Sequence, residues 1–332
     1  MPDSPSDAPV AARETSVRVP NQLGRIPILE YHLIGDKDGR WMVERGRFRR
    51  QLELLYERGY RPITVAELVD GKIDLPAGQS PVVVTFDDAS PSQFGYVERN
   101  GQLEVDPNSA VGIWLSFHAA HPDWGNKAVF CMLSGAAAGR SFFGDKGIEG
   151  QKSEWRMKKV RFLAEQGFEL CNHTLWHANL GHIGDNLVRE QIARGALAID
   201  SAVSGYRVRT FALPLGVWPK NRGLASAGSW RDPKSGRETH YKNDAVLMVA
   251  GGAARSPFDP QFDPQRLPRV QVFGNELERV LDQLDQTRTR YVAGGSVPKR
   301  SASSVRRAAS VSVKSSAVVP VDEAATSLEH GR

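Results

Sequence analysis

PVVVTFDD, residues 81–88, runs an apolar, β-branched segment straight into two adjacent carboxylates. A run of this kind, without polar alternation, suits a strand buried on both faces, and such strands belong to parallel sheets covered by helices. Asp87 and Asp88 then stand at the carboxyl end of that strand, the edge where α/β folds gather their working side chains.

Outward from this run, strand and helix patterns alternate. Residues 26–32 read as a strand, Phe48, Leu52, Leu55 and Tyr56 share one helical face that Gly59 terminates, and Thr64 with Glu67 makes a capping box for a short helix ending near Gly71. Asn100-Gly101 signals a hairpin and a helix is expected over 109–119, so the stretch near 95–125 reads as an insertion. Strands at 128–133 and 168–172 flank a helix marked by Trp155, Val160, Phe162 and Leu163. Asp185 is placed to cap a helix with the stripe Val188, Ile192, Ala196, Ile199 and Val203; strands follow near 208–213 and 245–249, and a last helix starts at Asn275. Repeated βα units predict an α/β fold built on a parallel sheet or barrel.

The 332 residues exceed the usual domain size, but α/β barrels take roughly 200 to 250 residues as one domain. One catalytic domain over 25–292 is therefore expected, with a flexible arm over 1–24 and a disordered, basic, low-complexity tail over 293–332. The formal charge is +5, and three of those charges fall after residue 294, so the body is nearly neutral. With no interleaved basic and aromatic stripe, no nucleic-acid partner is expected. No run approaches the ~18 apolar residues of a membrane span, and no basic-then-apolar leader opens the chain. The expectation is a cytoplasmic protein as written, or an extracytoplasmic one if a signal was removed. Cys131 and Cys171 each lie in an apolar strand-like run and read as buried reduced thiols rather than a disulfide.

Two groups carry chemistry. Adjacent carboxylates at a strand end are costly unless something positive holds them, although either Asp alone could cap the next segment. The second group is HTLWH, residues 173–177, directly after a strand. On a helical turn this spacing puts His173 and His177 on one side, able to share a cation. Two imidazoles and one carboxylate leave coordination positions open, as catalytic metal sites do.

The runs IPILEYHLIG, FRRQLELLYERGYRPITVAEL, VVVTFDD and NHTLWH, in this order, resemble the polysaccharide deacetylase (NodB-homology) family over roughly residues 26–216. The resemblance implies a distorted β/α barrel with fewer than eight regular units, acting on an acetylated carbohydrate. It also implies one divalent metal, commonly zinc, held by Asp88, His173 and His177, with Asp87 as general base. Thr174 could orient a ligand or contact backbone, and Pro214, Gly216 and Trp218 would lie along the substrate path. Trp176 and Trp114 are further stacking candidates, with core packing as the plainer role for any one Trp.

Two departures stand out. Where the family carries an Arg that tethers the base, this chain has Ala212, and its late strands lack the family's acid His. His32 and His240 are the candidate acids, and Arg269, in RLPRV, is the candidate replacement tether. Two other readings stay open: a carbohydrate-binding protein with a vestigial metal site, or a metal amidohydrolase of small C–N substrates.

Overall fold

The βα alternation folds as one curled, entirely parallel sheet, seen in a computed structural model that describes residues 18–135 and 141–294. Strand β1 (Ile28–Tyr31) is followed by a short parallel pair, β2 (Leu33–Gly35) and β3 (Met42–Glu44), and by helix α1 (Arg45–Glu57). Glu44 caps α1 by accepting from the Gly46 and Arg47 amides, and Phe48, Leu52 and Leu55 face inward as the periodicity requires. Strand β4 (Tyr60–Pro62) leads to α2 (Val65–Asp70), where Thr64 and Glu67 form the expected capping box and Gly71 closes the helix at φ 70°.

The decisive run is β5 (Ser80–Asp87), buried along its whole length. The hairpin β6 (Tyr96–Arg99) and β7 (Gln102–Val105) turns at Asn100-Gly101, and α3 (Ala110–Ala120) completes the insertion. Then come β8 (Val129–Met132), α4 (Arg156–Glu165), β9 (Glu169–Asn172) and α5 (Asp185–Ala202). Asp185 is the first residue of α5 rather than its cap; Gly184 holds that position and makes no side-chain bond. Strand β10 (Thr210–Ala212), the outer hairpin β11 (Ala227–Arg231) and β12 (Glu238–Lys242), β13 (Ala245–Leu247), β14 (Val270–Gln271) and α6 (Glu276–Gln286) finish the fold.

The sheet runs in the order β13-β10-β9-β8-β5-β1-β14. Its ends meet: Leu267 bridges to Leu247 of β13, while three residues later Val270 pairs with Leu29 of β1. The segment from Leu267 to Gln271 is thus the seam of a distorted seven-stranded barrel. Side chains alternate across each strand. Leu29, Val82, Val84, Phe86, Phe130 and Leu170 pack outward in the core that α1, α4 and α6 cover, and burial contributes about 1.5–3 kcal/mol for each large side chain. Ile28, Val83, Val129, Ala212, Ala245, Leu247 and Leu267 fill the barrel interior.

Cys131 and Cys171 belong to that interior and are bonded to each other, which corrects the expectation of reduced thiols. They are register partners on β8 and β9, a juxtaposition that a sequence separation of 40 conceals. The N-terminal boundary also moves. Asn21 exchanges backbone bonds with Val292, and a Cβ on Gly24 would collide with the Arg290 carbonyl, so residues 21–24 are packed rather than an arm. Ala293, assigned to the tail, is likewise buried and donates to Gln79. Residues 1–17 of the expected arm and the tail from 295 lie outside the described residues.

Candidate active site

At the carboxyl end of β5, Asp87 points into the barrel and is 1% exposed. Arg269, from the seam, meets it in a two-pronged pair: Nη1 donates to Oδ1 at 2.8 Å and Nη2 to Oδ2 at 2.7 Å. The other three guanidinium N–H groups go to the Met248 carbonyl (2.7 Å), Thr85 Oγ1 (3.1 Å) and Glu30 Oε1 (3.1 Å). A guanidinium has five N–H donors, so the side chain is fully satisfied and its orientation is fixed. Burial alone would push the Asp87 carboxyl up; Arg269, and after it His173, reverse this and hold it below the ordinary carboxylate range. The guanidinium missing at Ala212 of β10 is thus matched by Arg269 from the seam, one strand further round the barrel beyond β13.

Asp88 turns away from the strand at φ 80°. Its Oδ1 stands 3.5 Å from His173 Nε2 and 3.5 Å from His177 Nε2, and one donor atom from each of the three side chains falls within a 4.8 Å cluster. The histidines do not sit on a helical turn as expected. Residues 173–177 form a loop in which Thr174 (φ 74°) and His177 (φ 61°) are left-handed, and this bend rather than a helix brings the rings to 4.9 Å. Asn172 Oδ1 accepts from the Thr174 amide (2.9 Å) and Thr174 Oγ1 from the His177 amide (3.0 Å), so the loop is braced from beneath. Thr174 is fully buried, and its hydroxyl serves that brace.

The three donors suit a divalent ion. His173 Nδ1 lies 3.0 Å from the Ala212 carbonyl, which can only accept, so Nδ1 carries the hydrogen and Nε2 the lone pair. That Nε2 is buried without a hydrogen-bond partner. Ligand atoms about 2.1 Å from a tetrahedral metal lie about 3.4 Å apart, matching the 3.5 Å separations here. Burial also pushes His177 down to about 4, so its ring is neutral and free to ligate at neutral pH.

His32 lies beside Asp87, the two clustering with Glu30 within 4.8 Å. Its Nε2 is 3.8 Å from Glu30 Oε1, and its ring lies 4.8 Å from that of Trp41. Gln93, fully buried, donates to both the His32 and Asp87 carbonyls and ties the ends of β1 and β5 together. Sequence reasoning missed Glu30 and Gln93; a lone acid inside the apolar run ILEYHL, two residues before His32, was the available signal for the first. His240 is exposed on β12, in the hairpin that packs against α5 outside the barrel, so it is not at the site. Trp114 is core, 1% exposed, with its indole N–H on the Gly125 carbonyl. Pro214 is buried, Gly216 adopts φ 67° against Val249, and Trp218 is half-buried with the Arg222 guanidinium 5.5 Å above it.

Four of the six large apolar side chains exposed among the described residues, Trp41, Trp176, Leu215 and Phe273, follow the carboxyl ends of β2, β9, β10 and β14. Three of them thus follow strands of the barrel at the edge that carries the charged centre, and Trp41 lies against His32 there. No helix among the described residues is long and apolar enough to cross a membrane.

Comparison with known proteins gives concordant results. A family model described as polysaccharide deacetylase matches residues 122–228, a stretch that takes in both histidines and the Pro214–Gly216 turn. A chitooligosaccharide deacetylase from Sinorhizobium fredii is 27% identical over 142 residues; the match covers 40% of this chain and 64% of that protein's length. Among solved structures, the Streptococcus pyogenes deacetylase PplD in complex with acetate aligns at TM-score 0.55 and 18% identity, over 78% of this chain and 98% of that one. IcaB from Ammonifex degensii aligns at TM-score 0.51 and 18% identity, over 78% and 96%. At such identity these two likenesses speak for the fold alone. The family match over residues 122–228, the curated relative and the curled parallel barrel agree in making this chain similar to the polysaccharide deacetylases.

Proposed function

We propose that this protein is a metal-dependent hydrolase that removes acetyl groups from a carbohydrate. The observation that supports it most is the pairing of two differently treated carboxylates at one strand end: Asp88 grouped with two imidazoles, Asp87 clamped by Arg269. Asp88, His173 and His177 would hold one divalent ion, with zinc the first candidate for two nitrogens and an oxygen. Such an ion supplies Lewis acidity toward the acetyl carbonyl and the attacking water. Asp87, ionised and aimed by Arg269, takes a proton from that water as it attacks the carbonyl carbon. His32, within the 4.8 Å cluster that it makes with Asp87 and Glu30, would serve the leaving group. Trp41, Trp176, Leu215 and Phe273 offer apolar faces on which pyranose rings stack and are oriented.

The substrate named for the Sinorhizobium relative makes N-acetylated chitooligosaccharides the first class to test. A clamped Asp87 has no use in a protein that only binds sugar, which weighs against that alternative. Acetate release from these oligosaccharides, measured beside hydrolysis of small amides, separates deacetylase from small-molecule amidohydrolase. Purified protein should carry about one divalent ion, and Asp88→Ala or His177→Ala should lose both metal and acetate release. Full metal occupancy in an Asp88→Ala/His177→Ala double variant would refute the assignment.

A further inference from the structure

The reaction needs a proton for its leaving group, and the structure holds a pair of side chains suited to keep one. We propose that His32 donates this proton to the departing nitrogen and that Glu30 is the positioning residue that keeps it available. The inference rests on the deacetylase reading above.

Glu30 and His32 alternate on the same face of the chain, both inside the barrel mouth, with Glu30 Oε1 3.8 Å from His32 Nε2. Glu30 is 2% exposed; its Oε1 accepts from Arg269, while its Oε2 is buried without any hydrogen-bond partner. A bare carboxylate oxygen in that position is costly, and a proton on it removes the charge. Glu30, His32 and Asp87 also cluster within 4.8 Å, the spacing of a metal site. A second cation is nonetheless disfavoured, because Arg269 already occupies both oxygens of Asp87 and Oε1 of Glu30, and like charges at contact repel. A proton is the cation that fits.

The surroundings agree. Burial, helped by the charge of Asp87, raises the Glu30 carboxyl to about 8 against the pull of Arg269. Burial likewise depresses His32 against the pull of Asp87 and Asp88, so at neutral pH the pair's one proton rests on Glu30 and is handed on through the imidazole. The separation of 3.8 Å is too long for a hydrogen bond in the free protein, and such contacts commonly tighten when substrate is bound. The proton count closes. Asp87 gains one from water, whose hydroxide bonds the carbonyl carbon; the C–N bond breaks, and the nitrogen's electron pair takes the proton that the pair gives up. Exchange with solvent then resets Asp87 and the pair.

The test compares two leaving groups. An amine must be protonated as it departs, whereas an aryl acetate releases a phenolate that needs no proton. In Glu30→Gln, which keeps side-chain volume and an acceptor for Arg269, amide turnover should fall about 10²-fold and the amide-to-ester rate ratio at least about 10-fold, with metal content and melting temperature retained. His32→Gln should show the same selective loss, and Glu30→Asp should restore part of the amide rate. An equal fall on both substrates, or no fall on the amide, would overturn the inference while leaving the deacetylase reading intact. A wild-type protein that releases acetate from neither substrate would overturn the reading and the inference with it.

Discussion

Replacing Arg269 by Met tests the centre of the site, because it removes a charge while keeping most of the volume. Arg269 is fully buried and spends five donors on Asp87, Glu30, Thr85 and Met248; without it, two carboxyls 1–2% exposed stand side by side on the adjacent strands β1 and β5. Breaking a buried ion pair from one side costs about 3–5 kcal/mol. In a domain of this size each kcal/mol moves the melting temperature by about 2–4 °C, so a fall of roughly 10 °C is expected at neutral pH. The sign with pH follows from the depressed folded-state value of Asp87: the stabilisation is present above the ordinary carboxylate range and is lost as pH falls through the folded value. The gap between wild type and variant should therefore narrow in acid. Turnover should drop about 10²-fold with metal retained, and the acidic limb of its pH profile should move upward as Asp87 loses its counter-charge. Arg269→Lys cannot reproduce the two-pronged contact and should recover little. Removing Glu30 as well, in Arg269→Met/Glu30→Met, should return part of the lost stability, since one of the stranded carboxyls is gone. Thermal unfolding by circular dichroism, metal analysis and acetate release cover these outcomes. A melting temperature within about 2 °C of wild type at neutral pH, with turnover within about 3-fold, would refute the account of Arg269 as the brace of Asp87.

Two further variants probe the support around the site. Lys159 is buried beneath the insertion with its ammonium on the Phe143 carbonyl (2.5 Å), and burial pulls it down to about 7, opposed only weakly by Glu149. Between that value and its ordinary one of 10.5 the unfolded chain binds a proton that the folded chain does not, so the penalty is full below about 7 and fades as pH rises. Lys159→Met should thus stabilise on the order of 2 kcal/mol at neutral pH and progressively less toward pH 10; a gain that does not change with pH would count against this. Gly195 lies in α5 where an added Cβ would stand 2.3 Å from Asn172 Oδ1. A helical Gly→Ala ordinarily gains about 1 kcal/mol, but Gly195→Ala should lose about 1–3 kcal/mol and weaken metal binding, because Asn172 braces the loop carrying both histidines. A rise in melting temperature would contradict it.

What could be read from the sequence was whatever a single segment expresses. The 81–88 run announced its own burial and the edge at which it ends, and the Thr64 capping box and the Asn100-Gly101 turn are local chemistry with one structural answer. The spacing of His173 and His177 was informative about proximity but not about shape, since an i, i+4 interval fits a helical turn and a left-handed loop equally well. Harder to see were relations between segments that the barrel alone brings together. Cys131 and Cys171 look like any apolar-strand cysteines until β8 and β9 are set in register. Glu30 looks like a polar interruption until Arg269 arrives from 239 residues away. The packing of residues 21–24 on the chain near Val292 is a contact between the two ends of the described chain, and low periodicity gave no hint of it.

The seam between Leu267 and Gln271 has a consequence for how this molecule would fail. Its flanking residues close the hoop of strands by bonding to β13 on one side and β1 on the other, and between those two attachments lie Pro268 and Arg269. The clasp is in register with β1 at two positions, Val270 and Gln271, where β5 and β1 share four, so the clasp is the place for the hoop to spring first. When it does, the guanidinium withdraws and Asp87 is left without its counter-charge while the rest of the wall stands. Heat inactivation should therefore run ahead of loss of helix signal, and amide hydrogens of the clasp should exchange with solvent earlier than those of β5.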